Sequence, residues 1–405
     1  MSLDFKIFTL NCWGLRFVSK NLKSRIYSIA EQLSDQEYDV VCLQELWTNR
    51  DFHVLKKKLH SVLPYAHYFY SGVVGSGICI FSKHPIEETF FHQWSVNGYI
   101  HKLHHGDWWG GKGVGLCRLR VDKENTTYYV NVYTTHLHAE YNRTSDDYQA
   151  HRILQAYDTA QFILLTSGSA DLVVLAGDLN TEPGDLAYRI ILTVPGLRDA
   201  YLQDGCISEE KFATYENLRN SYTPSSLLKE KIIGKRIDYV MYHAGSNVTV
   251  SQKNYCLPLP DHIPDQCYSY SDHEAILVEL AITRDVKSGN NSTDDVAKKA
   301  VLEESLILCE EALKSISRSE VHYWVLVLVS FILLLVILII PSVITTSFFD
   351  NFSTLMDVLK VLITIFLVFF FLMAFMWSRI ETHGILSGKL AIEVSLRKIK
   401  NNKNL

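Results

Sequence analysis

The chain has 405 residues, a formal net charge of -5 and 48% hydrophobic residues. A single core stops growing near about 250 to 300 residues, so one large domain with an appendage, or two domains, is expected. The acidic balance excludes the broad positive field that duplex-binding proteins set against phosphate backbones, and nucleic acid is not an expected partner.

From the N-terminus, Phe5 to Asn11 reads as a strand, and Ser19 to Leu33 carries Leu22, Ile26, Ile29 and Leu33 at helical spacing. Asp39 to Glu45 is an apolar run ending in polar residues, as a strand buried on both faces would be. Similar runs follow at 76–82, 114–121, 127–136, 171–178, 237–242 and 274–281, with the longest helix of this part at Thr144 to Thr166. Residues 203–235 show weak periodicity and read as a long loop or insertion. Many strands with scattered helices indicate a layered α/β sandwich.

Polar residues stand repeatedly at the ends of these runs: Asn11, Glu45, His136, Asp178 with Asn180, Asp238, and Asp272 with His273. Such groups are costly to bury without partners or a metal, so their repetition points to one shared site. Glu45 suits a hard divalent cation, because Mg2+ takes few protein carboxylates and fills its shell with water and phosphate oxygens; Asn11 could support the same ion. No Cys/His cluster suits zinc. His273 has the side chain that titrates nearest neutrality, and Asp238 is a candidate to orient it. Asp178 can orient a water or ligand, Asn180 can donate to a phosphoryl oxygen, and His136 faces either the site or a satisfied bond in the core. The expected chemistry is metal-assisted phosphodiester hydrolysis.

The eight cysteines show no CxxC pairs and read as buried free thiols. The N-terminus lacks a basic stretch followed by a sustained apolar one, so no signal peptide is expected and the first domain should stay cytosolic. Residues 283–299 are polar and rich in Gly, Asn and Ser, as a linker is. A juxtamembrane helix at 300–322 precedes two apolar segments, 323–344 and 358–378, each about the 20 residues needed to span hydrocarbon. Lys314 and Arg318 lie before the first, Arg379, Lys389, Arg397, Lys398, Lys400 and Lys403 after the second, and the loop 345–357 has no Lys or Arg. The positive-inside rule puts that loop on the luminal or external side and both termini, including the tail 379–405, in the cytosol. Sequons at Asn125, Asn142, Asn247 and Asn291 would then stay unused.

The series LNCWG, QELW, THLHAEYN, GDLN, RIDYV and SDHEA, in this order, resembles the deoxyribonuclease-I-like endonuclease/exonuclease/phosphatase superfamily. With SGVVGSGICIFSKHPI, HHGDWWGGKGVGL, AHRILQA and AQFI beside it, the chain resembles the animal neutral sphingomyelinases with two C-terminal membrane spans. The resemblance implies an α/β (α+β) four-layer sandwich over residues 1–282 followed by a hairpin of two transmembrane helices. It implies Mg2+ on Glu45, with Mn2+ as an alternative, polarising a phosphodiester while His273, oriented by Asp238, acts as general base. Asp178 would position water or substrate, Asn180, Lys112 and His136 would meet the phosphoryl charge, and Asp272 would be a metal-side or hydrogen-bonding neighbour. In this family an Asp and a Lys flanking such a GDW segment govern access to an active conformation; Asp107 and Lys112 match them.

Fold alone does not choose among DNA, inositol lipids and phosphocholine lipids. The membrane tail favours a lipid, because two spans raise the effective concentration of a membrane substrate. Sphingomyelin is the implied substrate, giving ceramide and phosphocholine at the cytosolic leaflet of an endomembrane or the plasma membrane. A lyso-phosphocholine glycerolipid offers the same phosphodiester. An inositol-lipid phosphatase is disfavoured because Asn180 is followed by TEPGD rather than by a Trp and Arg pattern. Phe90, Phe91, Trp94, Tyr99, Trp108 and Trp109 are candidates for the lipid interface or for core packing. Oligomeric state stays open.

Overall fold

The computed structural model describes residues 2–102, 105–142, 145–203, 213–232, 234–284, 295–343 and 352–402. It has two compact units, Met1–Leu302 and Glu303–Leu405. The first is built on two six-stranded sheets. One joins β1 (Ser2–Asn11), β2 (Val40–Gln44), β3 (Tyr65–Tyr68), β4 (Cys79–Ser82), β11 (Val248–Cys256) and β12 (Ile276–Arg284) in the order β11-β12-β1-β2-β4-β3. The other joins β5 (Ile86–Gln93), β6 (Gly113–Lys123), β7 (Thr126–His136), β8 (Leu172–Asp178), β9 (Arg198–Asp199) and β10 (Asp238–Ala244) in the order β5-β6-β7-β8-β10-β9.

The inner faces meet in one core. Phe5, Ile7, Val40 and Ile80 of the first sheet pack with Leu119, Val130, Val132, Val174 and Val240 of the second. This is why the central strands read as unbroken apolar runs: each has a neighbour on both faces. On the outer face of the first sheet lie α1 (Leu22–Ser34) and α2 (Asn49–Leu59), where Ile26, Ile29 and Leu33 meet Phe8, Leu10, Val41 and Leu43. The start of α2 is set by Thr48, whose hydroxyl accepts from the Asp51 N–H at 3.1 Å, and Lys56, Lys57 and Lys58 oppose the dipole in its last turn. The longest helix of the other outer layer, α4 (Gln149–Thr166), buries Ile153, Leu154, Ala156, Tyr157 and Ala160. The short α3 (Asp107–Gly110) and α5 (Leu186–Thr193) complete the helices that matter for the site. The result is the expected four-layer α/β sandwich.

Several boundaries differ from the sequence reading. The helix expected from Thr144 begins at Gln149, and Thr144 lies outside the described residues. Strand β12 runs to Arg284, and of the expected linker 283–299, residues 285–294 lie outside the described residues while 295–299 are helical. Within 203–235, residues 204–212 and 233 lie outside the described residues, and a short helix, α6, forms at Ser225–Glu230. Trp94 is buried, so core packing accounts for it. Among the described residues all seven cysteines are free, with Cys267 exposed and Cys256 half-buried; Cys206 lies outside them.

The polar segment from Asp295 and the first apolar segment form one helix, α7 (Asp295–Val343), most of which belongs to the second unit. A second apolar helix, α8 (Ser353–Leu372), passes through a π-helical turn at Met373–Trp377 into α9 (Ser378–Asn402), with the Ser378 hydroxyl donating to the Met373 carbonyl at 2.9 Å. Both apolar helices are long enough to cross a membrane, and only 6% and 11% of their most apolar stretches are buried. That exposure is the opposite of what a soluble core helix shows. Most of the loop 345–357 lies outside the described residues.

Candidate active site

Strand register gathers the polar residues. In the parallel pair β1/β2, Asn11 stands beside Gln44, so Glu45 follows at the same end. In the parallel pair β7/β8, His136 stands beside Asp178, and antiparallel β10 begins with Asp238 opposite that same Asp178. His273 precedes β12, which runs antiparallel to β1. Parallel strands put their C-terminal ends together and antiparallel neighbours their starts, so one edge of the sandwich collects residues from six chain segments. Gly177 makes the close approach feasible: a Cβ there would collide with the Thr135 carbonyl.

Asn11 is fully buried and bridges two carboxylates, its amide donating to Glu45 Oε1 at 3.1 Å and Asp178 Oδ2 at 2.9 Å, while its carbonyl accepts from the Trp13 N–H at 2.9 Å. Glu45 has a left-handed backbone (φ 55°) that turns its side chain toward this bridge. Asp178 accepts from the Asn180 N–H at 2.8 Å, and the Asn180 amide donates to the Leu137 carbonyl at 3.0 Å and, more loosely, to Asp178 at 3.5 Å. Burial, then the charge of Asp238, pushes the Asp178 carboxyl up to about 7, against the pull of His273.

His273 Nδ1 lies 2.9 Å from Asp238 Oδ2, and its Nε2 is 4.0 Å from Asp178 Oδ2. Burial alone would lower this imidazole, but the charge and hydrogen bond of Asp238 outweigh it and hold His273 well above its ordinary value. Asp238 Oδ1 is buried without a hydrogen-bond partner among the described residues. Asp272 is pushed up to about 6, by burial first, with His273 lowering it and Glu45 raising it; the Ser271 hydroxyl donates to it at 3.3 Å.

Lys112 is 2% exposed and enters from the other side. Its ammonium pairs with Asp107 and donates to the Leu137 carbonyl and to His136 Nε2, each at 3.2 Å. Asp107 also accepts from the Tyr141 hydroxyl at 2.6 Å and lies 3.6 Å from His138 Nε2. Burial opposes its ionisation, but the charges of His138 and Lys112 prevail and hold it well below the carboxylate range. His138 is itself pushed down to about 3 by burial, so at neutral pH it is an uncharged neighbour of the Asp107–Lys112 pair. His136, 3.5 Å from Asp178 Oδ2 and 3.9 Å from Glu45 Oε1, is lowered well below its ordinary value by burial and by Lys112, and is a neutral acceptor here.

All ten sequence-derived residues thus fall on this edge of the sandwich. The sequence reading did not single out Tyr215, whose ring lies 4.8 Å from that of His273, or Thr214, whose hydroxyl accepts from the Asp238 N–H at 3.1 Å. Both sit in the weakly periodic region, where no local signal marked them. Tyr141 and His138 were inside the quoted THLHAEYN but had no role. A cavity of about 520 Å³ opens beside Asn180, lined among others by Tyr141, Tyr215, Glu140, Glu182 and Lys235.

Two donor groups meet here: Glu45 Oε1 and Asp178 Oδ2 lie 3.1 and 2.9 Å from the same Asn11 amide, carboxylate oxygens of the kind a hard divalent cation takes, while ligand atoms of Asp178, Asp238 and His273 lie within 4.8 Å of one another and Asp238 Oδ1 lacks a partner among the described residues.

Residues 8–273 match the Endonuclease/Exonuclease/phosphatase family. The chain is 35% identical to a putative neutral sphingomyelinase of Drosophila melanogaster, covering 97% of each chain. It is 40% identical to human sphingomyelin phosphodiesterase 2 over 74% of this chain and 70% of the human one. Inositol phosphosphingolipids phospholipase C of Schizosaccharomyces pombe is 31% identical over 69% of each chain. The fold is shared by a humanized D. rerio TDP2 (TM-score 0.52, 19% identity, 68% of this chain and 98% of that one). It is also shared by a mutant Staphylococcus aureus beta toxin solved with bound magnesium ions (TM-score 0.50, 18% identity, 68% of this chain and 99% of that one). The chain belongs to the endonuclease/exonuclease/phosphatase family, among the neutral sphingomyelinases.

Proposed function

We propose that the protein is a Mg2+-dependent, phospholipase C-type sphingomyelinase that releases phosphocholine and leaves ceramide in the cytosolic leaflet. The observation that carries this reading is the imidazole of His273 held by Asp238 at 2.9 Å, facing carboxylates suited to a cation, in a chain 40% identical to human sphingomyelin phosphodiesterase 2. Glu45, with Asn11 beside it, would hold Mg2+, which supplies Lewis-acid polarisation of a phosphoryl oxygen. His273 takes a proton from the attacking water through Nε2, while Asp238 fixes the ring through Nδ1. Asp178, 4.0 Å from that Nε2, positions the water. The long Asn180 bond to Asp178, at 3.5 Å, is the one a phosphoryl oxygen would replace.

Lys112 and His136 lie on the opposite side of Asp178 and would meet the developing phosphoryl charge. The Asp107 pair occupies the Lys112 ammonium in this structure, so exchange of that pair for the phosphate is the proposed switch. Asp272 tunes the field around His273 from the neighbouring position. The cavity beside Asn180 favours a choline headgroup: its carboxylates outnumber its two cations, Arg152 and Lys235, and Tyr141 and Tyr215 suit a quaternary ammonium.

Two apolar helices tether the enzyme to its substrate membrane, with both termini cytosolic. A lyso-phosphocholine lipid shares the headgroup and is the second reading. The test is phosphocholine release from sphingomyelin and from lyso-phosphocholine lipid, with Mg2+ or EDTA. Loss of His273 in His273→Ala should cost about 10²- to 10⁴-fold. Activity that survives both chelation and this substitution refutes the mechanism.

A further inference from the structure

The loop between β1 and α1 presents apolar side chains that no other described residue covers. Phe17 is fully exposed (105%), Val18 is 61% exposed, and Leu15 is also exposed. The loop is built rather than slack. Trp13, Phe17 and Asn21 all take left-handed backbone conformations, with φ of 46°, 70° and 53°, a conformation that costs a bulky residue about 1 kcal/mol or more. Ser19 closes a turn, its N–H and hydroxyl both donating to the Leu15 carbonyl at 2.9 and 2.8 Å.

The root of the loop is clamped by Arg25, a fully buried side chain whose guanidinium donates to the carbonyls of Cys12, Trp13, Lys20 and Tyr270 at 2.8 to 3.0 Å. The same guanidinium lies 4.9 Å from the Trp13 ring. A chain segment braced in this way, at the expense of a strained Phe17, holds its apolar tip outward against the hydrophobic effect.

Charge identifies what the tip meets. Arg16, Lys20 and Lys23 flank Phe17 and Val18 in the chain and are all exposed, and no Asp or Glu occurs from Cys12 to Ala30. Aromatic and aliphatic tips flanked by Lys and Arg suit the headgroup region of an anionic bilayer, where apolar groups enter the acyl boundary and the bases stay with the phosphates. A second uncharged loop is also exposed: Val73 is 71% exposed, Val74 is exposed as well, and their N–H groups donate to the Trp109 carbonyl at 2.8 and 3.2 Å.

Both loops are rooted at the site. Gly14 has no room for a Cβ against the Glu45 carbonyl, and Gly77 and Gly110 each approach the Trp47 ring. The segment that follows β2, from Glu45 to Trp47, is therefore packed by the roots of both loops, and the Leu46 N–H donates to the Gly77 carbonyl at 2.9 Å.

We propose that Phe17 and Val18, with Arg16, Lys20 and Lys23 flanking them, insert into an anionic lipid surface and seat the active site on the bilayer. The membrane helices keep the enzyme near lipid; this loop sets the mouth of the site on it.

The test uses the full chain in proteoliposomes. In a background with Cys206, Cys256 and Cys267 changed to Ser, Phe17→Cys carries an environment-sensitive fluorophore, and Leu165→Cys, on α4 and 82% exposed, serves as control. Vesicles of phosphatidylcholine with phosphatidylserine and no substrate should blue-shift the label at position 17, and nitroxide-labelled lipid should quench it, while position 165 stays in water. A label at 17 that remains in water overturns the proposal, whatever the enzyme's substrate proves to be.

A kinetic arm separates docking from folding. Phe17→Ser with Val18→Ser should lower hydrolysis of vesicle lipid about tenfold or more and leave hydrolysis of a monomeric short-chain substrate unchanged. Changing Arg16, Lys20 and Lys23 to Gln should weaken the dependence on phosphatidylserine by roughly fivefold per base at low salt. Equal loss on both substrates, or no loss on vesicles, overturns it.

Discussion

Removing the Asp107 charge tests the electrostatics of the site without reference to any substrate. Lys112 is 2% exposed, and in Asp107→Asn its ammonium would lose its charged partner and keep neutral acceptors, among them the Leu137 carbonyl and His136 Nε2, each at 3.2 Å. Breaking one side of a buried ion pair costs about 3 to 5 kcal/mol. For the unit Met1–Leu302, at about 2.1 cal/mol/K per residue, the unfolding entropy is about 0.6 kcal/mol/K, so the melting temperature should fall by about 5 to 8 °C. Lys112→Met added to Asp107→Asn removes the stranded charge and should restore most of that loss. The sign with pH is fixed: the Asp107 carboxyl is held below its ordinary 3.8, so the stability it confers is complete above that value and disappears as pH falls through the depressed one. Calorimetry of the four members of the cycle in detergent gives the coupling. A single variant that loses less than about 2 °C, or a double variant whose loss is the sum of the singles, refutes the pairing.

Two further substitutions address the chemistry. Asp238→Asn removes the charge that raises His273, so the acid limb of the pH-rate profile should move to lower pH while the plateau rate falls; an unmoved limb means another group is the base. Glu45→Gln should raise the Mg2+ concentration for half-maximal activity by at least about 10- to 100-fold, the loss that removing even an outer partner of a metal ligand produces. Titrating activity with Mg2+ measures it, and an unchanged midpoint places the ion elsewhere.

The layered fold was legible because its strands are buried on both faces, which turns period two into continuous apolar runs such as Val40 to Gln44. The site was legible for the same reason: a carboxylate or imidazole that closes such a run has no apolar explanation. What escaped the sequence depends on contacts far apart in the chain. Arg25 looks like a polar position on a helix, and only the fold carries the Tyr270 carbonyl, 245 residues away, to it. Tyr215 reaches His273 through an isolated bridge in a segment with no periodicity. The Asp107–Lys112 pair depends on left-handed Gly106 and Gly111 flanking one helical turn, a geometry that spacing alone does not specify. Leu15, Phe17 and Val18 carry no periodicity or motif of their own, and only their exposure together with the left-handed backbone at Phe17 marks them.

The balance of charge at the site leads to a last prediction. Glu45, Asp178, Asp238 and Asp272 share one edge of the sandwich, yet the cations there are already committed: Lys112 to Asp107 and His273 to Asp238, while His136 is held neutral. Without further positive charge Asp178 and Asp272 are raised, and the charges of Asp238, Asp272 and Asp178 hold His273 well above its ordinary value against burial. A protonated imidazole cannot accept a proton from water. Added positive charge beside Glu45 opposes the carboxylate field at His273, so Mg2+ should lower the pKa of this imidazole toward the ordinary range and release protons from the carboxylates. NMR titration of 15N-histidine in the full chain, assigned with His273→Gln, should show a value above 6.5 in EDTA and a fall when Mg2+ is added. An imidazole already neutral at pH 7 in EDTA, or one that Mg2+ leaves unmoved, would mean that the carboxylates do not govern the base.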